Sequence, residues 1–172
     1  MGLINGLPAH ILLVHFVVVL VPLTALALAV CSVRPSAAQR MGVVLPLLAL
    51  ITLVSVPLAT GAGEWLEKHV DSDALVRRHA ALGDGLLPWA GGLFVLAVAV
   101  WWAARRTASS GSGTSRGTHR SAVALRVTVA VLSLVVAVGA AVDVYRIGDS
   151  GAKAAWHDGF SKTAVNGDGD VG

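Results

Sequence analysis

Five ionisable side chains lie near the ends of long apolar segments, where they could bind a ligand together. They are His10 and His15 in the first segment, Glu64 after the second, His79 before the third and Asp143 after the fourth. Ionisable groups at membrane depth are costly, so they usually face the interior of a helix bundle and mark a functional site. Imidazole nitrogens bind haem iron and metal ions, and carboxylates accept hydrogen bonds from the remaining ring N–H groups.

The spacing of the histidines restricts how such a site could form. His10 and His15 are five residues apart, which places them about 140° apart around a regular helix, so they cannot both bind one small ion. A shared site must take single ligands from different helices, as membrane haem sites and the metal sites of helix bundles do. We predict His15 with His79 as the ligand pair and His10 with His79 as its substitute, with Glu64 and Asp143 accepting ring N–H groups. Alternatively, the histidines are polar groups that only join helices by hydrogen bonds.

Several other kinds of site are excluded. A single cysteine rules out an intrachain disulfide and C-x-x-C metal or redox motifs, including covalent c-type haem attachment. H-E-x-x-H, P-loop and G-x-S-x-G motifs are absent from the sequence. The basic residues are scattered and the net charge is only +3, so a nucleic-acid partner is not expected. No catalytic residue is predicted, and the sequence leaves open whether the chain is an enzyme.

The composition indicates a membrane protein. Hydrophobic residues make up 55% of the 172 positions and charged residues only 13%, against about 25% in typical globular domains. Mean hydropathy is +0.74. The first partner to expect is therefore a lipid bilayer.

Four apolar segments approach or exceed the roughly 20 residues that cross a bilayer core. We predict spans at about 10–32, 41–63, 82–104 and 122–145, forming an all-α, up-down bundle of four transmembrane helices in a domain covering 1–147. A short post-membrane segment at 148–162 and a disordered tail at 163–172 should follow.

The distribution of charge predicts the orientation. The loops after the first and third spans carry arginines and no acid, whereas all ten acidic residues lie in 64–84 or from 143 onward. By the positive-inside rule, the arginine loops are cytoplasmic, so both termini are extracytoplasmic. The histidines and carboxylates of the candidate site then share the extracytoplasmic end.

Three segments carry a resemblance to a known family. They are Pro8–Phe16 with its two histidines, Thr60–Leu66 (TGAGEWL) and Arg78–Gly83 (RHAALG). They resemble the bacterial four-span family catalogued as domain of unknown function 2231, over most of 8–147. Val17 stands where that family often has proline after the phenylalanine. The resemblance implies a multi-pass protein of the bacterial plasma membrane, and some relatives carry Rieske-type iron–sulfur domains, which suggests redox work; it implies no established activity.

The leading hypothesis is therefore a redox-associated membrane subunit with an extracytoplasmic His/carboxylate site for haem b or a metal ion. A redox protein or a second copy of the chain would be its partner. The alternative is a non-catalytic structural subunit or scaffold whose histidines hold helices together. A proton or small-ion pathway is less favoured, because the cytoplasmic half of the bundle has no ionisable relay.

Overall fold

The structure of the chain is a computed structural model that describes residues 3–4, 7–68, 74–109 and 116–156. Two short strands, β1 (Leu3–Ile4) and β2 (Leu7–Pro8), pair antiparallel before the first helix. Six helices follow: α1 (Ala9–Val33), α2 (Pro35–Met41), α3 (Val44–Glu67), α4 (Ala74–Asp84), α5 (Leu86–Ser109) and α6 (Arg116–Trp156). Apart from the two-residue strands, the elements of these described ranges are helices, which confirms the all-α class.

Four helical stretches are long and apolar enough to cross a membrane, as the sequence predicts. They are Ala9–Val33, Val44–Glu67, Ala74–Thr107 and Val123–Trp156. α1 packs against α3 and α6, and α5 also packs against α3 and α6, so the long helices form a closed ring of neighbours. Their large apolar side chains, such as Val19, Leu26 and Val138, lie mostly exposed on the outside of this ring, where lipid would contact them.

Buried residues line the interior of the bundle at alternating spacings of four and three. On α3 they include Leu45, Ala49, Thr52, Val56 and Ala59. On α5 they include Leu86, Ala90, Leu93, Ala97 and Val100. This spacing is typical of helices that cross at about 20° and interdigitate along a seam. Two alanines in each series, Ala49 and Ala59 on α3 and Ala90 and Ala97 on α5, let the backbones approach closely, which stabilises helix pairs in a membrane.

A pair of threonines joins α1 to α3 in the middle of the bundle. The Thr52 hydroxyl donates to the carbonyl of Leu48 at 2.9 Å, so the Thr24 hydroxyl donates to Thr52 Oγ1 at 2.7 Å. Both threonines are fully buried. In this apolar interior the hydrogen bond satisfies the Thr24 hydroxyl, which has no other partner in the described part of the chain.

A break separates α4 from α5 within the third span. Pro88 has no N–H and its ring crowds the carbonyl of Asp84, so the helical hydrogen bond between these positions is missing and the helix is interrupted here. The chain turns at Gly85, whose N–H donates to Leu82 O at 3.1 Å. The break allows α4 to lie against the last turns of α6 and places His79 there.

The two ends of the bundle differ in chemistry. At the far end of α5, Arg105 lies over the Trp101 ring at 5.2 Å and Arg106 over the Trp102 ring at 3.4 Å. Tryptophans beside arginines, joined here by cation–π contacts, are typical of the membrane–water interface. The histidines of the candidate site lie at the opposite end, near the start of α1 and the end of α3.

The final helix is longer than a membrane span. Its 41 residues extend about 62 Å at the usual rise, twice the thickness of a bilayer core. α6 continues without interruption through the predicted post-membrane segment as far as Trp156. The predicted tail at 163–172, like His69 and His157, lies outside the described residues.

Candidate functional site

His10 and His79 meet at one end of the bundle. Their ring centroids are 6.2 Å apart and the ring planes make an angle of 81°. His10 is in the first turn of α1, and His79 is in the middle of α4. Each ring is half-buried. The structure thus brings together the pair that the sequence offered as the substitute.

The first ring is held against α3. His10 Nδ1 lies 3.0 Å from the carbonyl oxygen of Ala59. One turn later, Gly63 leaves the room that the ring occupies, because a Cβ there would be 3.0 Å from His10 Cε1 and 3.1 Å from Nδ1. A carbonyl can only accept, so Nδ1 carries the proton.

The second ring is held against α6 in the same way. His79 Nδ1 lies 3.2 Å from the carbonyl of Ile147 and 3.0 Å from Ser150 Oγ. The Ser150 hydroxyl itself donates to Ile147 O at 2.8 Å, so the His79 N–H is shared between two acceptors. A Cβ on Gly151 would be 3.0 Å from His79 Cε1.

The two histidines therefore share one local arrangement. Each ring donates from Nδ1 to the carbonyl of residue i on a neighbouring helix, and residue i+4 of that helix is glycine. With the proton on Nδ1, the Nε2 atom of each neutral ring keeps its lone pair. This tautomer is the one that binds a metal through Nε2 while a backbone carbonyl fixes the ring orientation.

His15 is placed differently. Its side chain is exposed, and Nδ1 bonds to the carbonyl of Ile11 in the same helix at 2.6 Å. The ring in contact with His79 belongs to His10, five residues earlier and about 140° away around α1. Thus the pair that the sequence favours, His15 with His79, is not the pair whose rings are in contact.

The two carboxylates also differ from each other. Glu64 is exposed at the end of α3, next to Gly63. Asp143 lies one turn before Ile147 on α6, and its Oδ2 atom is buried with no hydrogen-bond partner in the described part of the chain. That oxygen is 3.9 Å from where a Cβ on Gly85 would be, beside the amino end of α5. The acceptors of the imidazole N–H groups are the carbonyls of Ala59 and Ile147, with Ser150 Oγ, instead of these carboxylates.

The two imidazoles are nitrogen donors from different helices that lie close together, with 6.2 Å between ring centroids. In each ring the atom bonded to a backbone carbonyl is Nδ1 and not Nε2. Within the described ranges, no third histidine, cysteine, aspartate or glutamate joins the pair to make a three-ligand group.

Ser150 and the two glycines are the members of this site that the sequence interpretation missed. Backbone acceptors have no residue type, so Ala59 and Ile147 could not have been identified in advance. Gly63 and Gly151 are visible in the sequence as glycines within helices. The structure shows that each leaves room for an imidazole, which the sequence alone does not indicate.

The comparisons with known proteins identify a family and nothing beyond it. The family model described as "Predicted membrane protein (DUF2231)" matches residues 6–164, which is nearly the whole chain. No curated protein and no solved structure matches the sequence.

Proposed function

The chain belongs to the DUF2231 family of predicted membrane proteins. We propose that it is a redox-associated membrane subunit in which His10 and His79 are the ligands of one metal centre. The carrying observation is the ring pair itself, with 6.2 Å between centroids and both Nδ1 atoms directed to backbone carbonyls. That arrangement leaves two Nε2 lone pairs, from two different helices, available to a metal.

The ligand count favours haem iron over a bare metal ion. Haem supplies four nitrogens of its own and takes only one or two further ligands from the protein, which His10 and His79 would provide. A structural metal ion bound by protein alone usually takes four ligands, and no group of three or more is found among the described residues. When bound, haem would supply one-electron transfer, and the carbonyls of Ala59 and Ile147 would fix the two imidazole rings in the role first assigned to Glu64 and Asp143.

The distribution of arginines supports an extracytoplasmic position for this site, in a plasma membrane with both termini outside. A redox protein on that side of the membrane, or a second copy of the chain, would then exchange electrons with it.

A second candidate function rests on the same hydrogen bonds. His10 joins α1 to α3, and His79 joins α4 to α6, so the imidazoles also act as polar contacts between helices. In this case the chain is a structural membrane subunit, and the ring pair binds nothing.

An absorption spectrum with elemental analysis separates the two candidates. The full chain is expressed with haem and transition metals supplied, purified in detergent and tested for folding by circular dichroism. A Soret band, or an equimolar amount of a transition metal, is expected for the metal centre. Helical protein that is colourless and metal-free would overturn it and favour the structural subunit.

A further inference from the structure

A groove between α4 and α6 lies beside the imidazole pair but is not part of it. Its volume is about 330 Å³. The lining residues are Leu75, Arg78 and Leu82 from α4, and Tyr145, Arg146, Asp149, Ser150 and Lys153 from α6. Its walls thus combine apolar side chains with three cations and one carboxylate.

The charge of this groove is unbalanced. Asp149 pairs with Lys153 at 2.7 Å, so one cation and the only carboxylate neutralise each other. Arg78 and Arg146 are both exposed, and among the described residues neither forms an ion pair with a carboxylate. Arg146 also interacts electrostatically with Asp143, which does not line the groove, but the two form no ion pair. Both guanidinium groups can therefore still donate to an anion, and guanidinium geometry suits phosphate oxygens.

The level of the groove along the bundle indicates where the anion would come from. The uninterrupted apolar run of α6 ends at Val142, before Asp143, and Tyr145 two residues later is 75% exposed. Tyrosine at this position is typical of the boundary between hydrocarbon and headgroups. The groove therefore opens at the depth of lipid phosphates, with Leu82 on the membrane side of the arginines and Leu75 on the other.

We propose that this groove binds the phosphodiester headgroup of an anionic phospholipid from the surrounding leaflet. Arg78 and Arg146 contact the phosphate, while Leu82 and the ring of Tyr145 contact the glycerol and the first acyl carbons. Basic pockets between membrane helices bind lipid headgroups in this manner. Ser150 lines the groove and also accepts from His79, so the bound lipid lies next to the imidazole pair. The residues whose carbonyls hold the two imidazoles do not line the groove, so the lipid site does not require a metal at the pair.

The test is a titration of the full chain, purified in a neutral detergent, with short-chain phosphatidylglycerol. Parallel titrations use short-chain phosphatidylcholine and inorganic phosphate. Phosphatidylglycerol should bind more tightly than either. Equal binding of phosphatidylcholine would overturn the charge argument, and equal binding of inorganic phosphate would identify a free-anion site and overturn the lipid assignment.

Matched variants locate the site. Arg78→Gln and Arg146→Gln should each weaken phosphatidylglycerol binding about fivefold, and the double variant about 25-fold. The control Arg77→Gln/Arg126→Gln removes the same charge from the same two helices but does not touch the groove, and it should stay within about twofold of the unmodified chain. Arg78→Lys/Arg146→Lys keeps both charges but loses the planar guanidinium groups, so its binding should fall between that of the unmodified chain and that of the Gln double variant. Equal losses in the Gln double variant and its control would overturn the proposal.

Discussion

The imidazole ring of His10 stands nearly perpendicular to that of His79, with 6.2 Å between their centroids. Each ring is anchored to a different partner helix, His10 to α3 and His79 to α6. The two rings and their carbonyl partners therefore bring α1, α3, α4 and α6 together at this end of the bundle. A displacement of either ring would change the packing of this end of the bundle and, if the pair holds a metal as proposed, the position of both ligands.

Removing the space behind each ring tests this arrangement directly. Gly63→Ala and Gly151→Ala place a Cβ about 3 Å from the imidazole, so the ring must shift and its hydrogen bond to the carbonyl should weaken. We expect each variant to lose about 1–2 kcal/mol of unfolding free energy, from crowding and the lost hydrogen bond, partly offset by the helix propensity of alanine. Unfolding in mixed micelles with increasing SDS measures the loss.

Two other glycines provide the controls. A Cβ on Gly61 of α3 or on Gly148 of α6 meets no atom within 4 Å. Gly61→Ala and Gly148→Ala should therefore be neutral or stabilising by up to about 1 kcal/mol. If all four substitutions behaved alike, the close packing of the rings on Gly63 and Gly151 would be contradicted.

The buried threonine pair should contribute measurably to stability. Thr24→Val keeps the shape of the side chain but removes the hydroxyl that donates to Thr52. Hydrogen bonds between membrane helices average about 0.6 kcal/mol and reach about 1.7, so a loss in that range is expected. Thr128→Val is the control, because Thr128 is exposed and bonds only within its own helix. A loss in Thr128→Val as large as that in Thr24→Val would argue against a stabilising contact between α1 and α3.

A third close approach joins α5 to α6. The Trp89 ring lies directly on Gly139, so that a Cβ at position 139 would overlap it. Gly139→Ala should cost about 1–3 kcal/mol through overpacking, unless the indole leaves its position. Gly91→Ala is the control and should not reduce stability, because a Cβ at position 91 would meet nothing within 4 Å. Thermal unfolding followed by circular dichroism compares the two variants, and equal midpoints would show that the ring is not packed there.

The sequence was sufficient to predict the four membrane-spanning stretches and to indicate that histidines brought together must come from different helices. Apolar length determines a membrane span, and the five-residue spacing of His10 and His15 rules out a chelate from one helix. The helix faces could not be predicted. α1 is apolar all round, since its lipid-facing and protein-facing residues are equally hydrophobic, so no periodicity indicated that His15 would be exposed.

The acceptors of the imidazole N–H groups also could not be predicted from the sequence. Glu64 and Asp143 were the visible acceptors for the imidazole N–H groups, whereas the carbonyls that take this place have no side-chain signature. A carbonyl becomes available to a second donor where the next turn lacks a side chain, as at Gly63 and Gly151. In both cases the glycine stands four residues after the carbonyl that accepts from the histidine. A glycine within a membrane helix therefore indicates a position where a histidine of a neighbouring helix can reach the backbone.

The orientation of the chain is a separate prediction. Because the loops with arginines and no acid should be cytoplasmic, a reporter that requires the cytoplasm should be active when inserted at 110–114 and silent after Gly172. A reporter that requires export should give the opposite pattern. Activity of the cytoplasmic reporter after Gly172 would reverse the orientation and move the imidazole pair to the cytoplasmic side.

The final prediction concerns the proposed metal centre and uses five histidines of the same chain. If His10 and His79 are the ligands, His10→Ala and His79→Ala should each abolish or strongly shift the Soret band, or remove the bound metal. His15→Ala should leave both unchanged, because His15 is exposed and bonded within α1. His69→Ala and His119→Ala should also be without effect. The spectrum and the metal content of each purified variant are compared at equal helicity. If His15→Ala abolished the band while His10→Ala retained it, the pair favoured by the sequence, His15 with His79, would be the ligand pair, and the observed contact would be structural.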